Sequence, residues 1–265
     1  MFNFFYELNP IYQALLAGIF TFLITVLGSS LVFFFKSINK TIMDVMLALS
    51  AGIMLAASFF SLLNPAISIS NELKLITWLV IFSGFMSGGI LLFIGDKILN
   101  YFDKTGKKSI SKLKRSIMLF SSITLHNIPE GLVIGVAYGS IFYNLNSASI
   151  ASAIALTIGI GIQNFPEGSA VSIPLRRDGM SPFKAFFFGQ LSGLVEPLSG
   201  VIGALLVLKI RYLLPLLLSF AAGAMIYVII QELIPESQTN KHHDLMTLCT
   251  ILGFCIMMIL DILLS

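Results

Sequence analysis

The sequence predicts an all-α polytopic membrane protein with eight transmembrane helices. Three observations carry that expectation. Of the 265 residues, 57% are hydrophobic and only 11% are charged, against about 25% charged in an average soluble domain. Mean hydropathy is +0.94, so the chain lacks the polar surface to cover a water-soluble globule. Apolar runs recur eight times, each close to the roughly 20 residues that cross a bilayer as a helix. Eight spans use ~160 residues, which leaves little mass outside one membrane domain over residues 1–265.

The runs extend from Ile11 to Phe35, Met43 to Leu63, Leu75 to Leu99, Ile117 to Gly139, Ser149 to Pro174, Phe183 to Val207, Leu213 to Ile234 and Leu245 to Leu264. Backbone groups in hydrocarbon need internal partners, which excludes lipid-exposed coil. Barrel strands would be shorter and would alternate in polarity. Placing the N-terminus outside assigns thirteen of the sixteen Lys and Arg to the cytoplasmic side. Only Lys74, Lys209 and Arg211 fall on the other. That bias predicts an integral protein of the plasma (inner) membrane with both termini extracytoplasmic. A basic cytoplasmic loop at about 100–116 is expected to touch anionic lipid.

The remaining composition mostly excludes. A net charge of +3 is too small to point to nucleic acid. No Lys or Arg precedes Lys36, so the chain lacks the basic start of a signal peptide. Cys249 and Cys255, six positions apart on one helix, face away from each other, and no disulfide is expected. The pairs Gly84/Gly88 and Gly189/Gly193 are spaced for close helix contact.

The chemistry lies at mid-membrane. Glu130, Glu167 and Glu196 fall deep in the fourth, fifth and sixth spans, with no base near the span centres. A central charge costs about 2.5–3.5 kcal/mol even on the lenient insertion scale. Three carboxylates therefore need protons or a bound cation. Their neighbours favour the cation. The fourth span reads TLHNIPEGL and the fifth GIQNFPEGS. At about 100° per residue, His126 lies roughly 40° from Glu130 and Asn127 roughly 60° to its other side. Gln163, Asn164 and Glu167 repeat that face. Pro129 and Pro166 free the carbonyls of Leu125 and Ile162, while Gly131 and Gly168 admit a neighbouring helix. The motifs are 37 residues apart on consecutive, antiparallel spans, as in an inverted repeat with its site at the repeat interface. Met54 lies at similar depth. Asp96 and Asp261 sit near span ends and read as interfacial. Glu232 lies near the cytoplasmic end of the seventh span. His242 and His243 read as solvated loop residues.

HNIPEG at 126–131, QNFPEG at 163–168 and GQLSGLVEP at 189–197 resemble the ZIP (Zrt/Irt-like protein) metal transporters, in particular the bacterial GufA-like branch. AGIMLAASFFSL in the second span and QELIPES after the seventh extend the resemblance over nearly the whole chain. It implies an eight-helix bundle with a metal site in helices 4 and 5. It implies transport of zinc or another divalent first-row metal toward the cytoplasm by alternating access, often as a homodimer, with no prosthetic group. It implies that Glu130 and Glu167 are shared between two metals. Met54, His126 and Gln163 would complete one site, and Asn127, Asn164 and Glu196 the other. Gln231, Glu232 and Asp96 are weaker candidates for the transport pathway. Many relatives have His where this chain has Gln163 and Gln231, and a His-rich loop where this one is Lys-rich. The harder ligand set leaves Fe²⁺, Mn²⁺, Co²⁺ and Cd²⁺ open beside Zn²⁺. A proton- or sodium-coupled carrier of an organic substrate could use the same carboxylates. An intramembrane metalloenzyme would need more buried histidines than His126 alone, and no enzyme activity is expected.

Overall fold

The computed structural model describes residues 7–35, 39–104, 111–143, 149–177, 179–238 and 242–264. Among the described residues there is no strand, and the helices fall into eight stretches. These are α1 (Pro10–Phe34), α2 (Lys40–Glu72), α3 (Thr77–Lys104), α4 (Ser111–Ile141), α5 (Ile150–Arg177), α6 (Pro182–Lys209), α7 (Leu214–Ser237) and α8 (His243–Leu264). Their starts are coded locally. Asn9 caps α1 by accepting from the Ile11 N–H at 3.0 Å, with Pro10 in the first turn. Asn39 caps α2 on Thr41 N–H at 2.9 Å, and Ser181 followed by Pro182 opens α6. Each cap satisfies a donor that the first turn would leave orphaned.

Six stretches, α1, α2, α3, α6, α7 and α8, are long and apolar enough to cross a membrane. The other two, α4 and α5, carry the repeated polar motifs. Large apolar side chains face outward, among them Phe34, Trp78, Phe82, Leu248 and Ile262. Serine, threonine, amide and acid side chains are buried inside. An exposed apolar belt around a partly polar interior suits lipid as the surrounding solvent.

Two boundaries differ from the sequence reading. The second helix does not end at Leu63. It continues to Glu72 through a π-type turn at Ser58–Leu63. The centre of the basic loop expected at about 100–116, residues 105–110, lies outside the described residues, and its flanks are helical, since α3 reaches Lys104 and α4 begins at Ser111. Lys is a good helix former, so leaving the apolar layer does not end a helix. His243 likewise opens α8 instead of lying in a loop.

The helices pack as two groups. In one, α1 runs along α5, and α6 along α4. In the other, α3 runs along α7, and α8 along α2. The pattern is unchanged when α1 is exchanged with α6, α2 with α7, α3 with α8 and α4 with α5. Each of the four seams carries a reciprocal glycine pair: Gly28 with Gly168, Gly131 with Gly203, Gly88 with Gly223, and Gly52 with Gly253. A Cβ added at any of the eight would lie 1.9–2.4 Å from a carbonyl oxygen of the facing helix. Such closeness lets backbone and Cα–H groups pack without an aqueous hydrophobic drive. Gly84 also meets α7, while Gly189 and Gly193 meet α1.

Irregular turns follow the same exchange. α2 widens at Ser58–Leu63 just ahead of Pro65, and α7 at Ile229–Leu233 just ahead of Pro235. A proline donates no N–H and crowds the carbonyl one turn back, so the helix opens there by one residue. Asp96 and Asp261, expected as interfacial, are half-buried and tied to neighbouring helices. Tyr227 donates to Asp96 at 2.8 Å and Ser61 to Asp261 at 2.9 Å. Each aspartate lies eight residues beyond its seam glycine, Gly88 or Gly253. Tyr227→Phe is expected to cost about 1 kcal/mol, read as reduced resistance to unfolding in mixed detergent. An unchanged midpoint would show that the bond contributes nothing net.

Candidate metal centre

α4 and α5 stay helical through Pro129 and Pro166. The prolines thus leave the motif residues on continuous helix faces while removing backbone donors beneath them. Six of the polar residues singled out in the sequence are buried at 5% exposure or less: Asn127, Glu130, Gln163, Asn164, Glu167 and Glu196. Met54 of α2 is also fully buried. The side chain of His126 lies outside the described residues.

Hydrogen bonds join these residues across helices. Gln163 Nε2 of α5 donates to Glu130 Oε1 of α4 at 2.5 Å. Asn164 Nδ2, the next residue, donates to Glu196 Oε2 of α6 at 2.7 Å. Asn127 Nδ2 donates to the Ser192 carbonyl at 3.0 Å, one turn before Glu196. The Ser50 hydroxyl, one turn before Met54, reaches the Gln163 carbonyl at 3.4 Å and ties α2 to the same place. The motif glycine sets the distance between the acid-bearing backbones. A Cβ on Gly131 would lie 2.4 Å from Glu196 O and 2.7 Å from its Cα. Gly168 plays the matching part against Thr25 of α1, where a Cβ would lie 2.2 Å from the carbonyl oxygen. In α6, Pro197 lacks the N–H that would bond to Gly193, and the helix is interrupted between Gly193 and Val195. Glu196 therefore sits in a fresh first turn, where free N–H groups favour a carboxylate.

The unpaired atoms are informative. One oxygen on each of the six polar side chains has no hydrogen-bond partner among the described residues: Asn127 Oδ1, Glu130 Oε2, Gln163 Oε1, Asn164 Oδ1, Glu167 Oε2 and Glu196 Oε1. Leaving a buried acceptor unsatisfied costs about 1–3 kcal/mol. Six in one helix cluster do not make a finished core. All six are acceptors, so they call for a donor or a cation, and a mixed carboxylate–amide set suits a hard or borderline divalent ion. Among the described residues, no three His, Cys, Asp or Glu side chains form a metal-holding group by themselves. The buried amide oxygens and the Met54 sulfur lie among the carboxylates as further donor atoms.

The weaker candidates are placed differently. Glu232 is half-buried on the α7 π turn, within electrostatic reach of Glu167. Gln231 beside it is exposed. Asp96 belongs to the α3–α7 pair with Tyr227. One neighbour went unread in the sequence. Thr21 of α1 is fully buried, its hydroxyl donates to the Gly18 carbonyl at 3.1 Å, and its own carbonyl accepts from Asn164 at 3.5 Å. The signal was available: Thr21, Thr25 and Ser29 form a polar stripe at four-residue spacing in an otherwise apolar span.

Comparison with known proteins identifies the family. The family model described as "ZIP Zinc transporter" matches residues 103–261, which include all three buried glutamates. The zinc transporter ZIP11 of Homo sapiens is 35% identical, over 96% of this chain and 98% of its own. The zinc transporter ZIPB of Bordetella bronchiseptica is 33% identical, over 94% of this chain and 80% of its own. The zinc transporter GufA of Myxococcus xanthus is 34% identical over 57% of each. With the apolar helices and the repeated motif at its centre, the chain is an integral membrane protein and belongs to the ZIP family.

Proposed function

We propose that this protein is a transporter, not an enzyme, and that it carries divalent metal ions, with zinc the leading cargo, toward the cytoplasm by alternating access. The observation that carries the reading is the set of six buried, unpartnered oxygens on Asn127, Glu130, Gln163, Asn164, Glu167 and Glu196. In this reading Glu130 and Glu167 are shared. Met54, His126 and Gln163 complete one site, and Asn127, Asn164 and Glu196 a second. Three carboxylates bring a charge of −3, and one or two divalent ions bring +2 or +4. That near-cancellation makes a loaded site tolerable where an unpaired charge is costly. Glu232, Asp96 and Gln231 would serve the cytoplasmic route.

The packing pattern supports the membrane arrangement. Exchanging α1 with α6, α2 with α7 and α3 with α8 is a shift of five helices. An odd shift reverses direction across a bilayer if every helix spans it. Eight spans in one domain over residues 1–265, an inverted repeat and a site at the α4–α5 interface belong to this reading. The distribution of Lys and Arg favours both termini outside the plasma membrane, and pairing as a homodimer belongs to the same reading. The matched relatives are named zinc transporters, which weighs for a metal over an organic cargo. The experiment is uptake of radioactive zinc into proteoliposomes, with metal content measured on the purified protein. Accumulation well above protein-free vesicles is expected. Retention no higher than in those vesicles, with sub-stoichiometric zinc and no effect of chelation, would rule the reading out.

A further inference from the structure

A line of donors leads from the proposed metal centre toward the C-terminal end of α8. Asp261 accepts from Ser61 of α2 at 2.9 Å. One turn earlier on the same face of α8, Met257 is fully buried. Its sulfur rests on Gly159 of α5. A Cβ added to Gly159 would meet Met257 Sδ at 2.4 Å and Cε at 3.1 Å, with Ile53 Cγ2 at 3.8 Å. Gly159 lies one turn before Gln163 on α5, and Ile53 adjoins Met54 on α2. One turn of helix advances about 5–6 Å. Carboxylate, thioether and amide thus follow one another at one-turn steps, as Asp261, Met257 and Gln163.

Packing alone does not require sulfur here. The repeat puts Leu92 of α3 where α8 has Met257, each four residues past its seam glycine, Gly88 or Gly253. Leu92 is 1% exposed and Met257 0%, so a branched alkyl group fills the equivalent place equally well. What methionine adds is a polarizable donor, on a backbone that Gly159 leaves open to it.

We propose that Met257 contacts the cargo: its thioether takes the divalent ion between Asp261 and the Gln163–Met54 side of the centre, and favours thiophilic ions. The inference rests on reading the chain as a metal transporter. Carboxylates select for charge, and sulfur weights the choice by softness, Cd²⁺ over Zn²⁺.

The test is parallel uptake of radioactive cadmium and zinc into proteoliposomes at sub-saturating concentration. Met257→Leu copies the residue of the other repeat. It is expected to lower cadmium uptake about fivefold and zinc uptake less than about twofold. Gly159→Ala keeps the sulfur but pushes it off the line, and should lower the cadmium-to-zinc ratio in the same direction. An unchanged ratio in both variants overturns the proposal, whether the two rates hold or fall together. So does a wild-type protein that carries zinc and excludes cadmium. Failure of the transporter reading looks different, because wild-type vesicles would then take up neither ion.

Discussion

Glu130→Ala is expected to lower zinc uptake by at least about tenfold while leaving the protein as stable as the wild type, or slightly more so. The two effects have separate causes. Glu130 gives one oxygen to the Gln163 amide at 2.5 Å, and its other oxygen has no partner among the described residues. Removing the side chain takes away an anionic ligand that the proposal shares between two ions. Losing one charged contact in a dry site is worth about 1.5–3 kcal/mol, or roughly ten- to a hundredfold in affinity. The same deletion removes a buried carboxylate that has no cationic partner among the described residues, whose burial works against folding, and this offsets the loss of the Gln163 bond. A residue that mattered only for packing would show the reverse pattern, with stability falling and uptake following it. Uptake of radioactive zinc by Glu130→Ala at the wild-type rate would remove Glu130 from the site.

Gly131→Ala should damage both properties, for a steric reason. The new Cβ would lie 2.0 Å from Ser199 Oγ, 2.4 Å from Glu196 O and 2.7 Å from Glu196 Cα. The hydroxyl can rotate away, but the α6 backbone cannot. α4 and α6 must separate, and Glu196 moves off the Asn164 amide it now meets at 2.7 Å. Overpacking of this kind costs about 1–3 kcal/mol. We expect a lower unfolding temperature in detergent together with an uptake loss at least as large as that of Glu130→Ala. Gly89→Ala is the control. Its Cβ would have the Gly223 carbonyl oxygen at 3.6 Å as its nearest contact, and the variant should behave as wild type. Equal behaviour of Gly131→Ala and Gly89→Ala would show that the α4–α6 seam is not rigid.

The sequence made the site more legible than the ends of its helices. Glu130, Glu167 and Glu196 could be singled out because uncompensated acids in apolar runs are costly, and duplication of the surrounding motif excluded chance. Gly131 and Gly168 could be read as points of close approach because each sits one residue past an acid at the motif's centre. Hydropathy could not foresee that α2 runs on to Glu72. Asn64-Pro65 looks like a stop, yet a widened turn carries the helix past it. Nor could polarity place the end of α3, since lysines prolong a helix as readily as they leave the membrane. Thr21 went unread because a hydroxyl in a span bonds its own helix, as this one does to Gly18. The bond from Asn164 to its carbonyl depends on α1 lying against α5, which is tertiary information.

The exchange of helix partners bears on how the protein is made. α1 finds its seam with α5, whose first residue is Ile150, and α2 finds its seam with α8, which begins at His243. During synthesis the early helices must therefore wait in the bilayer through more than a hundred residues of translation before their companions arrive. Such an orphan has to tolerate lipid on every side. That is consistent with α1 carrying only hydroxyls and one amide as polar groups on the stripe it later buries, while the three buried glutamates lie in α4, α5 and α6, which emerge one after another. A carboxylate moved forward into α1 would be stranded in oil for that interval, and the degradation machinery would meet it before α5 did.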